Sequence, residues 1–256
     1  MAVTVASAKQ FVDRADIPPA LRSRDALPPA AALAFDTAKT QAALVGSDIV
    51  SFVQGVTPER REAIVNSSML AQLVAKKKIA DPTQLFAWYD SYFDTLSNIG
   101  WVIQDKSFAE YVEKSQNFQA HEAILAVATV LLGPAPTALA IVKTTIEALE
   151  KMSTDSPFLT LFDRESGHAR TAKFQISLGE QTPDGQFFVT LMAFALEAKS
   201  TVTQVLFFKA KSSEARLRHS SGKVTINTAV LDAVGPTIKQ KLSDHAVDFV
   251  KQLPDL

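Results

Sequence analysis

The run AILAVATVLLGPAPTALAIV, residues 123–142, carries no charged side chain. Its length matches the ~20 apolar residues that take a helix across a bilayer. Its middle forbids that use. Gly133-Pro134-Ala135-Pro136 cannot continue a straight helix, because each proline removes a backbone donor and pushes the preceding residue out of the helical region. Each arm is then about ten residues, or ~15 Å at the helical rise, half of a hydrocarbon core. Glu122 and Lys143 bracket the run, so extending either arm into lipid meets a charge. The segment predicts a tight helical hairpin, in which Ala126, Ala128, Ala138 and Ala140 let the arms or a neighbouring helix approach closely.

Such a hairpin is either a central core element or a latent one that leaves the core to meet lipid, and the same residues also suit the lining of a lipid cavity. In the lipid readings the contact residues are Ile124, Leu125, Val127, Leu131, Leu132, Leu139 and Ile141. The partner is then membrane lipid or a fatty acyl ligand. The chain is not read as an integral membrane protein.

Around the hairpin the hydrophobic pattern changes period. Residues 1–30 hold Pro18-Pro19 and Pro28-Pro29 and predict a short helix with an irregular arm. Residues 31–165 read as helical. Val45, Ile49, Phe52, Val53 and Val56 fall at helical spacing. Thr57-Pro58, Asp81-Pro82 and Ser156-Pro157 each place a capping side chain before a proline, a helix-start signal. Lys76-Lys77-Lys78 suits a helix C-terminus. The stripe Leu85, Trp88, Tyr89, Tyr92, Phe93, Leu96, Ile99 and Ile103 steps by three and four.

From Thr171 the pattern alternates. Ala172, Phe174, Ile176 and Leu178 alternate with Lys173, Gln175, Ser177 and Gly179, which predicts a strand with one buried face. TPDGQ, residues 182–186, is a turn signal. Residues 187–198 and 201–210 are apolar on both parities and predict strands covered on both faces. Residues 227–253 predict a closing helix whose apolar stripe runs from Leu231 through His245 to Phe249, with Gly235-Pro236 as a kink or interruption. The expected fold is α+β in a single intertwined domain: a helical region at 31–165 on an antiparallel meander of about four strands at 170–226, closed by the helix, with helices on both sides of the sheet.

Chemistry is sparse. The absence of cysteine removes disulfides, thiolate metal sites and cysteine nucleophiles. There is no nucleophile elbow, zinc-protease motif or complete phosphate loop. SSGKVT, residues 220–225, lacks the upstream glycine of a phosphate cradle and sits in a strand pattern. No metal site and no cofactor are expected. A formal net charge of −1 disfavours a nucleic-acid partner.

The densest polar cluster is DRESGHAR, residues 163–170. Glu165-x-x-His168 has the spacing of one half of a carboxylate-bridged metal site, but the second half is missing. The plain reading is a charged connector; the functional one makes Asp163, Glu165 and His168 a catalytic or ligand-binding set, with His168 as acid–base group. Asp90 and Asp94 share a helical face and read as solvated. His219 and His245 read as core histidines. Lys209, Lys211, Arg216, Arg218 and Lys223, with Lys199, form a basic stretch opposed only by Glu214. It suits anionic head groups or phosphates, or protects an edge strand from pairing with another chain.

In general layout, a cysteine-free mixed fold with a concealed apolar hairpin, the chain resembles small bacterial virulence and toxin proteins. The resulting expectation is a non-enzymatic protein acting on membranes or apolar ligands. The alternatives are an enzyme or small-molecule binder centred on 163–170, and a structural or oligomeric scaffold. The first residues show no basic stretch followed by a long apolar run, which predicts a cytoplasmic protein or one exported without a cleaved signal.

Overall fold

The structure, a computed structural model, describes residues 3–20, 33–113, 115–133, 135–182 and 184–254. The predicted arm at Pro28-Pro29 lies outside the described residues. The fold is α+β. Helix α1 (Val5–Arg14) is followed by a tight hairpin of β1 (Gln41–Val45) and β2 (Asp48–Phe52), and then by α2 (Pro58–Lys78) and α3 (Leu85–Asn98). Short strands β3 (Trp101–Val102), β4 (Ala109–Glu110) and β5 (Asn117–Gln119) lead into α4 (Ala120–Leu132), α5 (Pro136–Glu150) and α6 (Pro157–Ser166). The strands β6 (Gly167–His168), β7 (Thr171–Gln181), β8 (Phe187–Ala198), β9 (Lys209–Lys211) and β10 (Ala215–Ile226) come next. The last elements are α7 (Thr228–Leu242), α8 (Ala246–Phe249) and β11 (Val250–Gln252).

The large sheet runs β11-β1-β2-β7-β8-β10-β3, with β4 added to β10 and β6 to β7. It is mixed, because β2 pairs parallel with β7 while the other pairs are antiparallel. Helices cover both faces, as the two-sided apolar strand β8 requires. One face packs on α1, α2, α3 and α7 through residues such as Val50, Leu70, Tyr92, Ala193 and Val234. The other packs on α4, α5 and α6 through Ile49, Ile124, Ile146, Phe162, Phe174 and Phe194. On this second face Phe174 and Phe194 stack at 5.0 Å, and Phe162 approaches Phe174 at 6.0 Å.

Two of the predicted caps form. Thr57 Oγ1 accepts from the Arg60 N–H and Ser156 Oγ from the Leu159 N–H. Asp81 does something else: its Oδ1 accepts from the N–H and hydroxyl of Thr83 in a local turn, and α3 starts only at Leu85. The helical spacing of Val45, Ile49, Phe52 and Val56 does not make a helix. Strands β1 and β2 are buried at every position, so no alternation marks them, and the turn between them rests on Gly46 at φ +56°. A Cβ there would lie 2.4 Å from Phe249 and 2.5 Å from Gln72, so only glycine fits.

Residues 201–208 are not a strand. They form an irregular segment whose Val202, Val205, Leu206 and Phe208 fill the second core. Its backbone is satisfied elsewhere, Val202 N–H by Ala169 O at 2.8 Å and Val205 N–H by Asp163 Oδ1 at 2.9 Å. The meander is therefore β7-β8-β10, extended by other parts of the chain. The closing helix ends at Leu242, so His245 and Phe249 leave its stripe. Pro236 sits inside α7 without ending it. The bond it forfeits belongs to the carbonyl of Asp232, an exposed residue that water can reach.

Candidate functional site

The uncharged run forms the predicted hairpin of α4 and α5. Gly133 ends α4, and the Ala135 N–H returns to Leu132 O. The inner side of α4 is Ala123, Ile124, Val127, Ala128 and Leu132, and that of α5 is Ala138, Ile141, Val142, Thr145, Ile146 and Leu149. Of the residues predicted to contact lipid, Ile124, Val127, Leu132 and Ile141 are therefore buried against the sheet. Leu125, Leu131 and Leu139 are half-buried on the flank. Sequence reading missed the most exposed one. Val130 is 87% exposed, with Thr129, Gly133, Thr137 and Ala140 also open to solvent around it. Helical arithmetic does not hold that signal, since Val130 is three residues from buried Val127 and seven from buried Ala123 and shares their side of α4. It is open because it lies in the last turn of α4, near the tip.

The attachment of this hairpin differs from that of the helices on the other face. Among the described residues, one hydrogen bond joins its arms to the large sheet, Ser51 Oγ to Thr145 Oγ1 at 3.3 Å. The Thr145 hydroxyl proton goes to Ile141 O at 2.8 Å, so Ser51 is the donor. At its base the Ala120 N–H reaches Phe208 O at 2.9 Å. Everything else is apolar contact, which is strong but not directional.

Helices α2 and α3 sit instead on a polar seam. The residues Lys173, Gln175 and Ser177, expected to face solvent, lie buried beneath them. The Gln72 side chain donates to Val45 O at 2.7 Å and accepts from Ser47 N–H at 2.9 Å. Ser47 Oγ lies 3.0 Å from both Gln72 Oε1 and Gln175 Oε1. The Tyr89 hydroxyl sits between Phe174 O and Phe194 O at 2.9 and 2.7 Å and accepts from Gln175 at 3.0 Å. The Lys173 ammonium lies over the Trp88 ring at 5.2 Å. Burial, with Lys76 adding to it against Glu165, pushes its pKa down to about 8.

The polar cluster at 163–170 is split among separate partners. Asp163 caps the Val205 N–H, and its partial burial raises its pKa. Glu165, almost wholly buried, pairs with Lys76 and Arg164 at 2.9 Å each. His168 is exposed, and no hydrogen bond reaches its ring among the described residues. The three do not converge on one point. The turn beside them is strained, because Ala169 has φ +49°. Ala169→Gly is expected to raise stability by about 0.5 kcal/mol, read as a higher urea midpoint at unchanged slope.

The basic stretch does not make one patch either. Arg216 pairs with Glu110 at 3.4 Å, and Arg218 with Glu197 at 3.0 Å. Arg218 lies over Phe86 on the α3 face, whereas Lys223 lies over Phe188 on the opposite face of the sheet. Lys209 and Lys211 are exposed on β9, which pairs with β5 at the start of α4 and thus at the far end from the tip. Strand β10 is no free edge, since β3 and β4 cover parts of it.

His219 is half-buried beside Phe194 at 6.4 Å, and burial lowers its pKa. His245 Nε2 donates to Pro18 O at 2.9 Å. Asp90 and Asp94 are exposed as expected, and border an open cleft of about 520 Å³ with Lys78 and Lys106.

No family model and no curated protein matches this chain. Among solved structures, it is similar to a delta-endotoxin at 17% identity and a TM-score of 0.40, over 84% of this chain and 95% of the other. It is also similar to the Evf virulence factor at 10% identity and a TM-score of 0.34, over 92% of this chain and 89% of the other. Likenesses at these scores carry no functional weight, so the geometry of the hairpin carries it.

Proposed function

We propose that this protein is a non-enzymatic, membrane-active protein that engages lipid through the tip of the α4–α5 hairpin. One observation carries the reading: an uncharged apolar tip stands in solvent, with Val130 87% exposed, on arms joined to the sheet by a single hydrogen bond among the described residues. An exposed apolar tip has no role in the protein's own core, and burying it in lipid gains roughly 25 cal/mol for each Å² removed from water. No helix is long and apolar enough to cross a membrane. At 13 and 15 residues the arms reach ~20 Å, which suits a wedge in the lipid-facing half of a bilayer. A cleft of about 350 Å³ beside α5, near Ala148 and Met152, opens to solvent, so an enclosed acyl ligand is less well supported than a bilayer.

The basic residues lie away from the tip, so binding should owe little to anionic lipid. Flotation with neutral and with anionic vesicles is expected to give affinities within about threefold of each other, since the insertion term is apolar. Dye release should accompany binding. Val130→Asp puts a charge at the tip, costing ~2.5 kcal/mol or more at bilayer depth, and is expected to cut release at least tenfold with folding unchanged. Neither binding nor leakage with either lipid between pH 5 and 8 would overturn the reading.

A further inference from the structure

Asp48 is the one acidic residue on β1 and β2, and it is fully buried. It projects from the sheet toward α2 and α3. Its Oδ2 accepts from Ser68 Oγ of α2 at 2.7 Å and from Ser177 Oγ of β7 at 2.9 Å. Its Oδ1 has no partner, and neither has the buried Tyr92 hydroxyl of α3. The two donors on Oδ2 leave Oδ1 as the oxygen that carries a proton.

The groups around Asp48 offer no counter-charge. From α3 it faces Tyr89 and Tyr92, which its own charge pushes further toward the neutral form. From α2 come Ser68 and Gln72, both neutral. The buried guanidinium on that helix, Arg61, spends its donors on Val56 O, Gln41 Oε1, Lys39 O and Val53 O. From β7 come Ser177 and Gln175, and further along the same face Lys173, whose ammonium is turned to Trp88. The opposing positions of β8 are Leu191, Ala193 and Ala195. An ionised Asp48 would be a buried charge with two hydroxyl donors and no cation, a state that costs far more than a neutral carboxyl.

We propose that Asp48, with Ser68, Ser177 and Tyr92, is a pH-sensitive latch that holds α2 and α3 tightly on the sheet when protonated and loosely when ionised. The inference is independent of the membrane reading. Burial raises the Asp48 pKa from 3.8 to about 7, against the two serine hydroxyls that lower it. The closed form therefore keeps a proton that an opened form gives up. The latch is fully set below about pH 4, weakens about tenfold per pH unit as pH rises, and reaches its floor near pH 7.

Hydrogen exchange on the full chain, corrected for intrinsic rates, tests this between pH 5 and 8. Protection in α2 and α3 is expected to fall about a hundredfold between pH 5 and 7 and then level off, while α4 and α5 hold theirs. In Asp48→Asn, an uncharged isostere, protection in α2 and α3 should not follow pH. Wild-type protection in α2 and α3 that is flat across the range would overturn the latch, even if the variant failed to fold. So would an equal slope in α4 and α5, or a slope that survives in Asp48→Asn.

Discussion

Oxidation of a Ser51→Cys/Thr145→Cys double variant is expected to abolish dye release from vesicles, and reduction to restore it. The two hydroxyl oxygens lie 3.3 Å apart, both residues are buried, and they form the only hydrogen bond between the hairpin arms and the large sheet among the described residues. The chain has no cysteine of its own, so within one molecule the introduced thiols can pair only with each other. The bond would close a loop of about 95 residues and, by chain-entropy reasoning, stabilise the folded state by ~4.7 kcal/mol. It would also fix α5 to β2 at the midpoint of the arm. Flotation of the oxidised form separates two steps. A hairpin that must leave the sheet gives a stapled protein that still touches lipid through Val130 but does not leak. Release that is unchanged after oxidation means that the tip acts while the arms stay on the sheet.

The hairpin was legible in the sequence because its cause is local. Two prolines after a glycine stop a helix whatever surrounds them, and an uncharged run has few places to go except a core or lipid. The caps at Thr57 and Ser156 were legible for the same reason. The β1–β2 hairpin was not. Strands buried on both faces lose the alternation that announces a strand, and Val45, Ile49 and Val56 then fit a helical spacing by accident. Gly46-Ser47 was the remaining signal.

The polar seam was hidden more deeply. Lys173, Gln175 and Ser177 look like a solvent face until α2 and α3 bring Gln72, Ser68 and Tyr89 across to meet them. That depends on pairing between residues up to 129 positions apart, which no local pattern records. Asp48 had a fainter mark, a lone acid in an apolar stretch. For the basic stretch, strand parity should have separated Arg218 from Lys223, because residues an odd number apart on one strand point to opposite faces.

Arg61→Met is expected to destabilise the fold by about 3–5 kcal/mol, the scale for breaking a buried, fully bonded charge site. Arg61 is fully buried. Its guanidinium gathers the ends of the β1–β2 hairpin onto α2: Nε bonds Val56 O at 2.8 Å, Nη1 bonds Gln41 Oε1 at 2.8 Å, and Nη2 bonds Lys39 O at 2.8 Å and Val53 O at 3.2 Å. Its flat face lies 5.5 Å from the Phe52 ring centroid. Burial lowers its pKa, offset by Asp36. Where a buried ion pair is replaced whole by apolar groups, stability often survives, because both charges go. Here the acceptors are three backbone carbonyls and an amide, and they stay. Methionine fills the volume but offers no donor, so the cost is that of acceptors losing the guanidinium rather than of a cavity. It falls hardest on Val56 O, since Gln41 Oε1 keeps the Asp36 N–H at 2.8 Å and Val53 O keeps the Val56 N–H at 3.5 Å. Arg61→Lys should recover part of it, since one ammonium reaches fewer of the four acceptors. Urea unfolding followed by Trp88 and Trp101 fluorescence measures both variants. A loss below about 1 kcal/mol in Arg61→Met, smaller than a single stranded buried acceptor, would show that the clamp does not hold the hairpin.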